Sequence, residues 1–449
     1  MTGKYDHSKA LVLGAGVSGE AAALLLLARG GQVVLIDAGQ AEAQSACAQR
    51  VRQAGGRVEL NCAQVPDEAF DLCVVSPAFA MGHAWLENCR GRGIPIISEM
   101  SLGACYWPAK ILAITGSKGK SSLVKLCADT LNQAGFPALA AGNYGTPLCS
   151  LVLKHPNLRW AVVEVSSFQM EHTEGFKPDI AILLNLQADH LDRHVDMAEY
   201  KALKLKLFSA MQPGSVALIP DKFDEQGQIS PKVVKIRFGA DAQSCEWFYQ
   251  EHAISGIFAG APGRICISGT WFDNPILGLA AVAGAAALHY AGCDNAQIAD
   301  GIAAFQPLAH RVQYIGESRV GVAYVDDSKA TSLAALAAGI QMVRKPVRLI
   351  AGGLLKENNL EDVKELLVQT TKKVYLIGQC SGQMLHAWQS AIPCEVCETL
   401  ECAVAKAVKE ACAGDTVLLS PGTASFDQFK SYRERGERFT ALVRKVADL

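Results

Sequence analysis

Several protein classes are excluded by what the chain lacks. No segment reads as a membrane span; Ala21 to Arg29 (AAALLLLAR) is apolar but only about half the ~18 residues needed. The opening MTGKYDHSKA has no apolar signal-peptide core, so a cytoplasmic protein without membrane insertion is expected. Neither sign of charge dominates: the formal net charge is −2, which argues against bulk attraction to nucleic acid or to an anionic membrane. Tandem repeats and low-complexity linkers are missing. Cysteine is not scarce, at 15, but it is scattered through apolar runs, as buried thiols of a reducing compartment would be. One C-x-x-C, Cys394 and Cys397 with Cys402 nearby, has no second pair, so a strand-and-loop reading outweighs zinc.

Half of the 449 residues are hydrophobic and 19% are charged, as in a globular protein with large cores. Strand-like and helix-like stretches alternate almost throughout, which predicts an α/β fold with mostly parallel sheets. Length and punctuation predict three domains, 1–106, 107–308 and 309–449. Trp107-Pro108 marks the first break, and the alanine-rich Pro275 to Ala291 is expected to close the middle domain.

The middle domain opens on AITGSKGKSSLVKLCADTL. Lys110 to Thr115 is a short apolar strand; Gly116 and Gly119 permit a tight turn and a close ligand approach. A helix follows, with Leu123, Leu126 and Leu131 on its apolar face. Its N-terminus suits a phosphate; Lys120 would reach β/γ-phosphates, and Ser121 or Ser122 a Mg²⁺ ion. The standard P-loop wants a Gly where Ile114 stands, yet strand, Gly-Lys-Ser and helix together favour a nucleoside triphosphate.

The first domain carries Gly14, Gly16 and Gly19 between a strand and a helix, with Asp37 after the next strand. Alone this is a dinucleotide fingerprint; more generally it holds the diphosphate of some nucleotide. Ser76-Pro77 ends another strand, where ligands bind in open α/β sheets.

Further on, Glu164 lies in the apolar strand WAVVEV, a costly place for a carboxylate unless it is paired or on a metal. AILLNLQADHLDRH ends in Asn185, Asp189, His190, Asp192 and His194. The spacing of the two histidines admits a zinc reading, which a strand-to-loop setting weakens. Lys201, Lys204 and Lys206 in EYKALKLKLF read, by spacing alone, as a solvated basic face. In the last domain, polar loops carrying Asp327, Lys329 and Thr331, then Lys356, then Ser425, Phe426 and Asp427, each follow an apolar run. Together they suggest a substrate edge.

The stretches ITGSKGKSS, GNYGTP, EVSSFQME, NLQADHLDRH, KALKLKLF, HRVQ, DDSKATS and LLSPGTASFDQFKSYRERGERF, in that order, resemble the Mur ligases, the ATP-dependent amino-acid-adding enzymes of peptidoglycan synthesis. DSKAT with SFDQFK is most similar to the branch that adds D-glutamate to UDP-N-acetylmuramoyl-L-alanine. The resemblance implies a Rossmann-like N-terminal domain, a central P-loop ATPase-type domain and a Rossmann-like C-terminal domain. It implies a monomer that activates a carboxylate as an acyl phosphate, using ATP and two Mg²⁺ ions, with domain closure shielding that intermediate from water.

Roles follow by resemblance. Lys120, Glu164, His190 and Lys204 would be catalytic. Ser121, Glu164, His190 and a carbamylated Lys204 would hold metal, which reverses the solvated-face reading of Lys204. Gly116, Ser117, Lys118, Gly119, Lys120, Ser121, Ser122, Asn274, Arg311, Asp327 and Lys329 would bind ATP, with His310 beside Arg311. Gly14, Gly16, Val17, Ser18, Asp37, Ser76, Pro77, Asn143 and His190 would bind the UDP-substrate. Thr331, Lys356, Ser425, Phe426 and Tyr432 would bind glutamate.

The chain departs from the family pattern at Lys118, commonly Asn; at Leu277, often a second Asn near adenine; at Leu354, usually in a loop with an Asp; and at Asp37-Ala38, which lacks a Thr-Arg seen in some relatives. Alternatives are the L-glutamate-adding sister ligase, a folylpolyglutamate synthase, which would not need the glycine-loop domain, and a non-catalytic binder of ATP and a UDP-sugar. The last has little use for Glu164, His190 and Lys204. An NAD-dependent oxidoreductase finds no hydride-transfer site downstream.

Overall fold

The computed structural model of the chain describes residues 3–39, 41–187, 193–225, 227–258, 260–343, 346–355 and 359–447. It divides into two compact units, one ending at Phe305 and one beginning at Gln306. The first unit holds two of the three sheets. Among the described residues no helix is long and apolar enough to cross a membrane.

The first sheet contains β1 (Lys9–Leu13), β2 (Gln32–Ile36), β3 (Arg57–Glu59), β4 (Leu72–Val75) and β5 (Ile96–Ser98). They are parallel, in the order β3-β2-β1-β4-β5. The strand order reverses between β1 and β4, and an open sheet binds ligands at the carboxyl ends of such a pair. Leu11, Val12 and Leu72 are fully buried, because crossover helices cover both faces of a parallel sheet.

The second sheet contains β6 (Lys110–Thr115), β7 (Ala138–Gly142), β8 (Trp160–Glu164), β9 (Ile180–Leu183), β10 (Val216–Pro220), β11 (Val234–Gly239), β12 (Trp247–Gln250), β13 (Ala253–Phe258) and β14 (Ala261–Cys266). Their order is β14-β13-β12-β11-β10-β9-β6-β8-β7. It is parallel from β7 to β12; β13 and β14 are antiparallel. The helix Lys120–Gln133 follows β6 and buries Leu123, Leu126 and Leu131. Pro275–Ala291 packs on it, and Gly284 lets Leu123 approach closely. That helix starts on an Asn274 cap with Pro275 in its first turn and stops at the left-handed Gly292. It does not close this part of the chain: a further helix, Asn295–Ala304, packs on Lys120–Gln133 as well.

In the second unit β15 (Gln313–Glu317), β16 (Ala323–Asp326), β17 (Val347–Gly352), β18 (Thr371–Ile377), β19 (Cys394–Glu398) and β20 (Thr416–Leu419) form one sheet in the order β15-β16-β20-β17-β18-β19. Only β15 is antiparallel among its described strands. Cys394 and Cys397 lie on its edge strand β19.

Candidate active site

Loops at the carboxyl ends of central strands carry most of the expected site residues. In the first sheet the chain leaves β1 through Gly14, whose φ of +98° favours glycine, and enters the helix Val17–Ala28. A Cβ at Gly19 would overlap the Gly14 carbonyl oxygen, so the third glycine permits helix and loop to touch. Gly16 caps the helix without a side chain; Gly16 and Val17 are exposed and Ser18 is half-buried. Ser76, after β4, donates to the Leu13 carbonyl at 2.9 Å beneath this loop. Asp37, after β2, reaches the same loop. Its oxygens accept from the backbone N–H of Ala15 at 2.6 Å and of Gly39 at 2.7 Å, making it the brace of the glycine loop.

In the second sheet Gly116 follows β6, and Gly119, at φ +83°, caps the helix beginning at Lys120. Asn185, after β9, fixes the turn. Its Oδ1 accepts from the N–H of Ser117 (3.0 Å) and Lys118 (2.9 Å), and its Nδ2 donates to the Lys118 carbonyl (3.0 Å). Ser117 Oγ donates to the Gln187 carbonyl at 2.8 Å and lies 3.1 Å from the Tyr200 hydroxyl. Lys120 Nζ folds back on the Gly116 and Ser117 carbonyls at 2.8 and 2.9 Å. Ser121 and Ser122 are buried in the first helical turn.

Glu164 ends β8 and pairs in register with Ile114, two residues before Gly116. Only 2% exposed, it accepts from Asn143 Nδ2 at 2.8 Å through Oε1. Its Oε2 is buried with no hydrogen-bond partner among the described residues. A dry carboxylate oxygen is unfavourable unless something cationic faces it, and an oxygen donor of this kind suits Mg²⁺. Lys204 corrects the solvated-face reading. On the helix Met197–Ser209 it is 1% exposed, over the Tyr200 ring, with Nζ donating to the Gly116 carbonyl at 2.8 Å. The structure thus brings Gly116 to Ser122, Asn143, Glu164 and Lys204 to the ends of β6 and its neighbours. Asp189, His190, Asp192 and Lys356 lie outside the described residues. Asn274 is drawn into helix capping: its Oδ1 accepts from the N–H of Ile276 and Leu277.

In the second unit Asp327 follows β16. Its carboxylate accepts from Ser420 Oγ at 2.8 Å and from the Val312 N–H at 3.2 Å. Burial pushes its pKa up to about 7 despite those donors. His310, at φ +63°, places Nδ1 2.7 Å from Asp326 Oδ2, and the chain continues into Arg311. Lys329 lies over the Tyr432 ring, 3.9 Å from its centroid. Thr331 is half-buried at the helix approach, Ser425 Oγ is buried without a partner among the described residues, and Phe426 is 67% exposed. Leu354 exchanges backbone hydrogen bonds with Ala424, so the loops after β17 and β20 are joined.

Two residues at these sites, Tyr200 and Arg435, are not marked by the sequence analysis. Tyr200 is four residues before Lys204 on one helix, and that spacing is a signal for it. Asn185 belongs to the polar cluster that the sequence marks at its strand's end. Arg435, 1% exposed, donates to the carbonyls of Ser328 (2.9 Å) and Thr423 (3.1 Å) and to Ser328 Oγ (3.0 Å). Nothing in the spacing of a charged helix marks one arginine as buried.

Residues 114–262 match the Mur ligase middle domain, and 310–422 match the Mur ligase glutamate ligase domain. The UDP-N-acetylmuramoylalanine–D-glutamate ligase of Acidobacterium capsulatum is 35% identical, over 97% of this chain and 96% of its own. The chain belongs to the Mur ligase family. The Koribacter versatilis protein of the same name is 33% identical over 98% of both chains. A MurF ligase from Thermotoga maritima, solved with ADP, superposes with a TM-score of 0.62 at 14% identity, covering 93% of this chain and 95% of its own. As a Mur ligase the protein is an ATP-dependent, amide-bond-forming enzyme, with Rossmann-like first and last domains flanking the ATP-binding one.

Proposed function

We propose that this Mur ligase adds D-glutamate to UDP-N-acetylmuramoyl-L-alanine, forming ADP and phosphate, in peptidoglycan synthesis. Relatives named for that activity match along nearly the whole chain. The observation that carries the chemistry is the buried Glu164 Oε2, without a partner among the described residues, beside the phosphate loop's strand. The domain limits 1–106, 107–308 and 309–449 belong to the same reading, as does a cytoplasmic monomer; a monomer's mass by light scattering checks the latter.

The backbone N–H groups at Gly119 to Ser122 would cradle the ATP phosphates. Lys120 would exchange its loop carbonyls for the β/γ-phosphates, with Lys118 adding a second cation. Ser121, Glu164, His190 and a carbamylated Lys204 would hold two Mg²⁺ ions, which when bound offset charge on the transferring phosphoryl group. The glycine loop, with Ser76, Pro77 and Asn143, would hold the UDP-substrate. Asp37 would act through the loop it braces.

The substrate's terminal carboxylate attacks the γ-phosphorus; the bond to the β-phosphate oxygen breaks, giving an acyl phosphate and ADP. The glutamate amine then attacks the acyl carbon, loses a proton, and phosphate leaves. Two anions meet in the first step, so the lysines of the loop lower its barrier. Asp327 would bind the ribose, Arg311 and Lys329 the phosphates, and Thr331, Lys356, Ser425, Phe426 and Tyr432 the glutamate.

Phosphate release with UDP-N-acetylmuramoyl-L-alanine, ATP and Mg²⁺, adding D- or L-glutamate separately, tests the reading. Release only with D-glutamate is expected. Release only with L-glutamate moves the protein to the sister activity, and release with neither overturns the substrate assignment.

A further inference from the structure

Within the first unit, one side chain ties the loop after β4 to the segment after β9. Arg193 donates through Nε to Glu171 Oε1 at 3.0 Å and through Nη2 to Oε2 at 2.9 Å. The same Nη2 faces the carbonyls of Pro77 at 3.1 Å and Phe79 at 3.0 Å. The guanidinium stacks over Phe168, 4.4 Å from the ring centroid, and the Glu171 side chain is only 4% exposed. A two-point, charge-assisted contact on a carboxylate this buried fixes geometry as well as charge.

Both ends of this clasp lead to substrate loops. Pro77 directly follows Ser76, and Phe79 lies three residues after it; the Ser76 hydroxyl supports the glycine loop through Leu13. Arg193 adjoins His194, whose Nε2 lies 2.9 Å from Ser167 Oγ, a few residues past Glu164. A second contact runs alongside: Ser98, at the end of β5, donates its N–H to the His172 carbonyl at 2.9 Å. Its Oγ is 2.9 Å from Thr173 Oγ1. The stretch 171–173 is thereby joined to two strand ends of the first sheet.

We propose that Arg193 is a positioning residue of the ligase. It sets the loop after β4 so that a nucleoside-diphosphate substrate held at the first sheet presents its acyl end to the phosphate loop. This rests on the ligase reading above. Lysine would supply the charge but not the planar fork that reaches Glu171 and two carbonyls together.

The test compares wild type with Arg193→Lys and Arg193→Ala. Steady-state constants are measured for each substrate, with UDP affinity by calorimetry as a readout that needs no turnover. Arg193→Ala is expected to raise KM for the UDP-substrate about tenfold and weaken UDP binding, while KM for ATP stays within about twofold. Arg193→Lys should fall between, and it serves alone if the alanine variant does not fold. Loss confined to thermal stability, an equal rise in both KM values, or a lysine variant with wild-type constants overturns the proposal. A wild type that binds UDP but releases no phosphate fails the ligase reading instead; the UDP affinities of the variants then decide the clasp. A wild type that does not bind UDP overturns both.

Discussion

Asn143 donates its amide to one oxygen of Glu164, at 2.8 Å, and the other oxygen of that buried carboxylate has no hydrogen-bond partner among the described residues. The pairing orients Glu164 and keeps a lone pair available in a dry place. Glu164→Gln keeps the shape and the Asn143 contact but removes the charge. If the carboxylate is worth ~3 kcal/mol to the transition state, ADP formation falls ~10²-fold. Thermal unfolding should move by only a few degrees, because no cation among the described residues pairs with the lost charge and the Asn143 contact is kept. An unchanged rate would remove Glu164 from the metal site.

Lys204 is buried with its ammonium on the Gly116 carbonyl, so its removal acts on the phosphate loop directly. Lys204→Ala should abolish phosphate release, and bicarbonate should not restore it, since no amine remains to carbamylate. A short added carboxylic acid, standing in for the carbamate, should restore part of the rate. Full activity in the variant would refute the carbamate role.

The frame of both sites was legible in the sequence because its signals are local. Gly-Lys-Ser after KILAIT marks the phosphate loop, and the glycines after ALVL mark the first-sheet loop. What was not legible depends on partners distant in sequence. By spacing alone Lys204 reads as one of three surface lysines, and only the family resemblance sets it apart; in the fold Tyr200 and Gly116 cover it. That Asp37 also braces the glycine loop, through the Ala15 and Gly39 amides, is set by groups it meets in the fold. That Asn274 Oδ1 also caps the helix after it is a further role that its spacing to the phosphate loop does not reveal.

Glu99 gives the stability a pH dependence independent of catalysis. Fully buried, its carboxyl is pushed up to about 7 by burial, although the Cys149 N–H donates to it at 2.7 Å. An unfolded glutamate titrates near ~4.3. Between those values the folded chain keeps a proton that the unfolded chain has released, so stability falls as pH rises through this window and levels off above it. The full difference is at most ~3–4 kcal/mol. Glu99→Gln should flatten this fall, making the variant more stable than wild type at pH 8 than it is at pH 5. Asp327 shifts in the same direction but is present in both proteins, so it cancels in the comparison. Urea unfolding at the two pH values checks the sign.

Asp37 should matter to the UDP-substrate without touching ATP. Its two oxygens hold the N–H groups of Ala15, inside the glycine loop, and of Gly39 after β2. Asp37→Ala leaves both amides without that acceptor, a cost of ~1–3 kcal/mol each where water cannot substitute. The glycine loop then loses the brace that aims its N–H groups, and a ~10-fold rise in KM for UDP-N-acetylmuramoyl-L-alanine is expected. KM for ATP should stay unchanged, because the loop at Gly116 is held by Asn185 instead. Asp37→Asn keeps one acceptor oxygen and should lose less. An equal loss in both variants would mean that the charge, acting on the ligand, outweighs the brace.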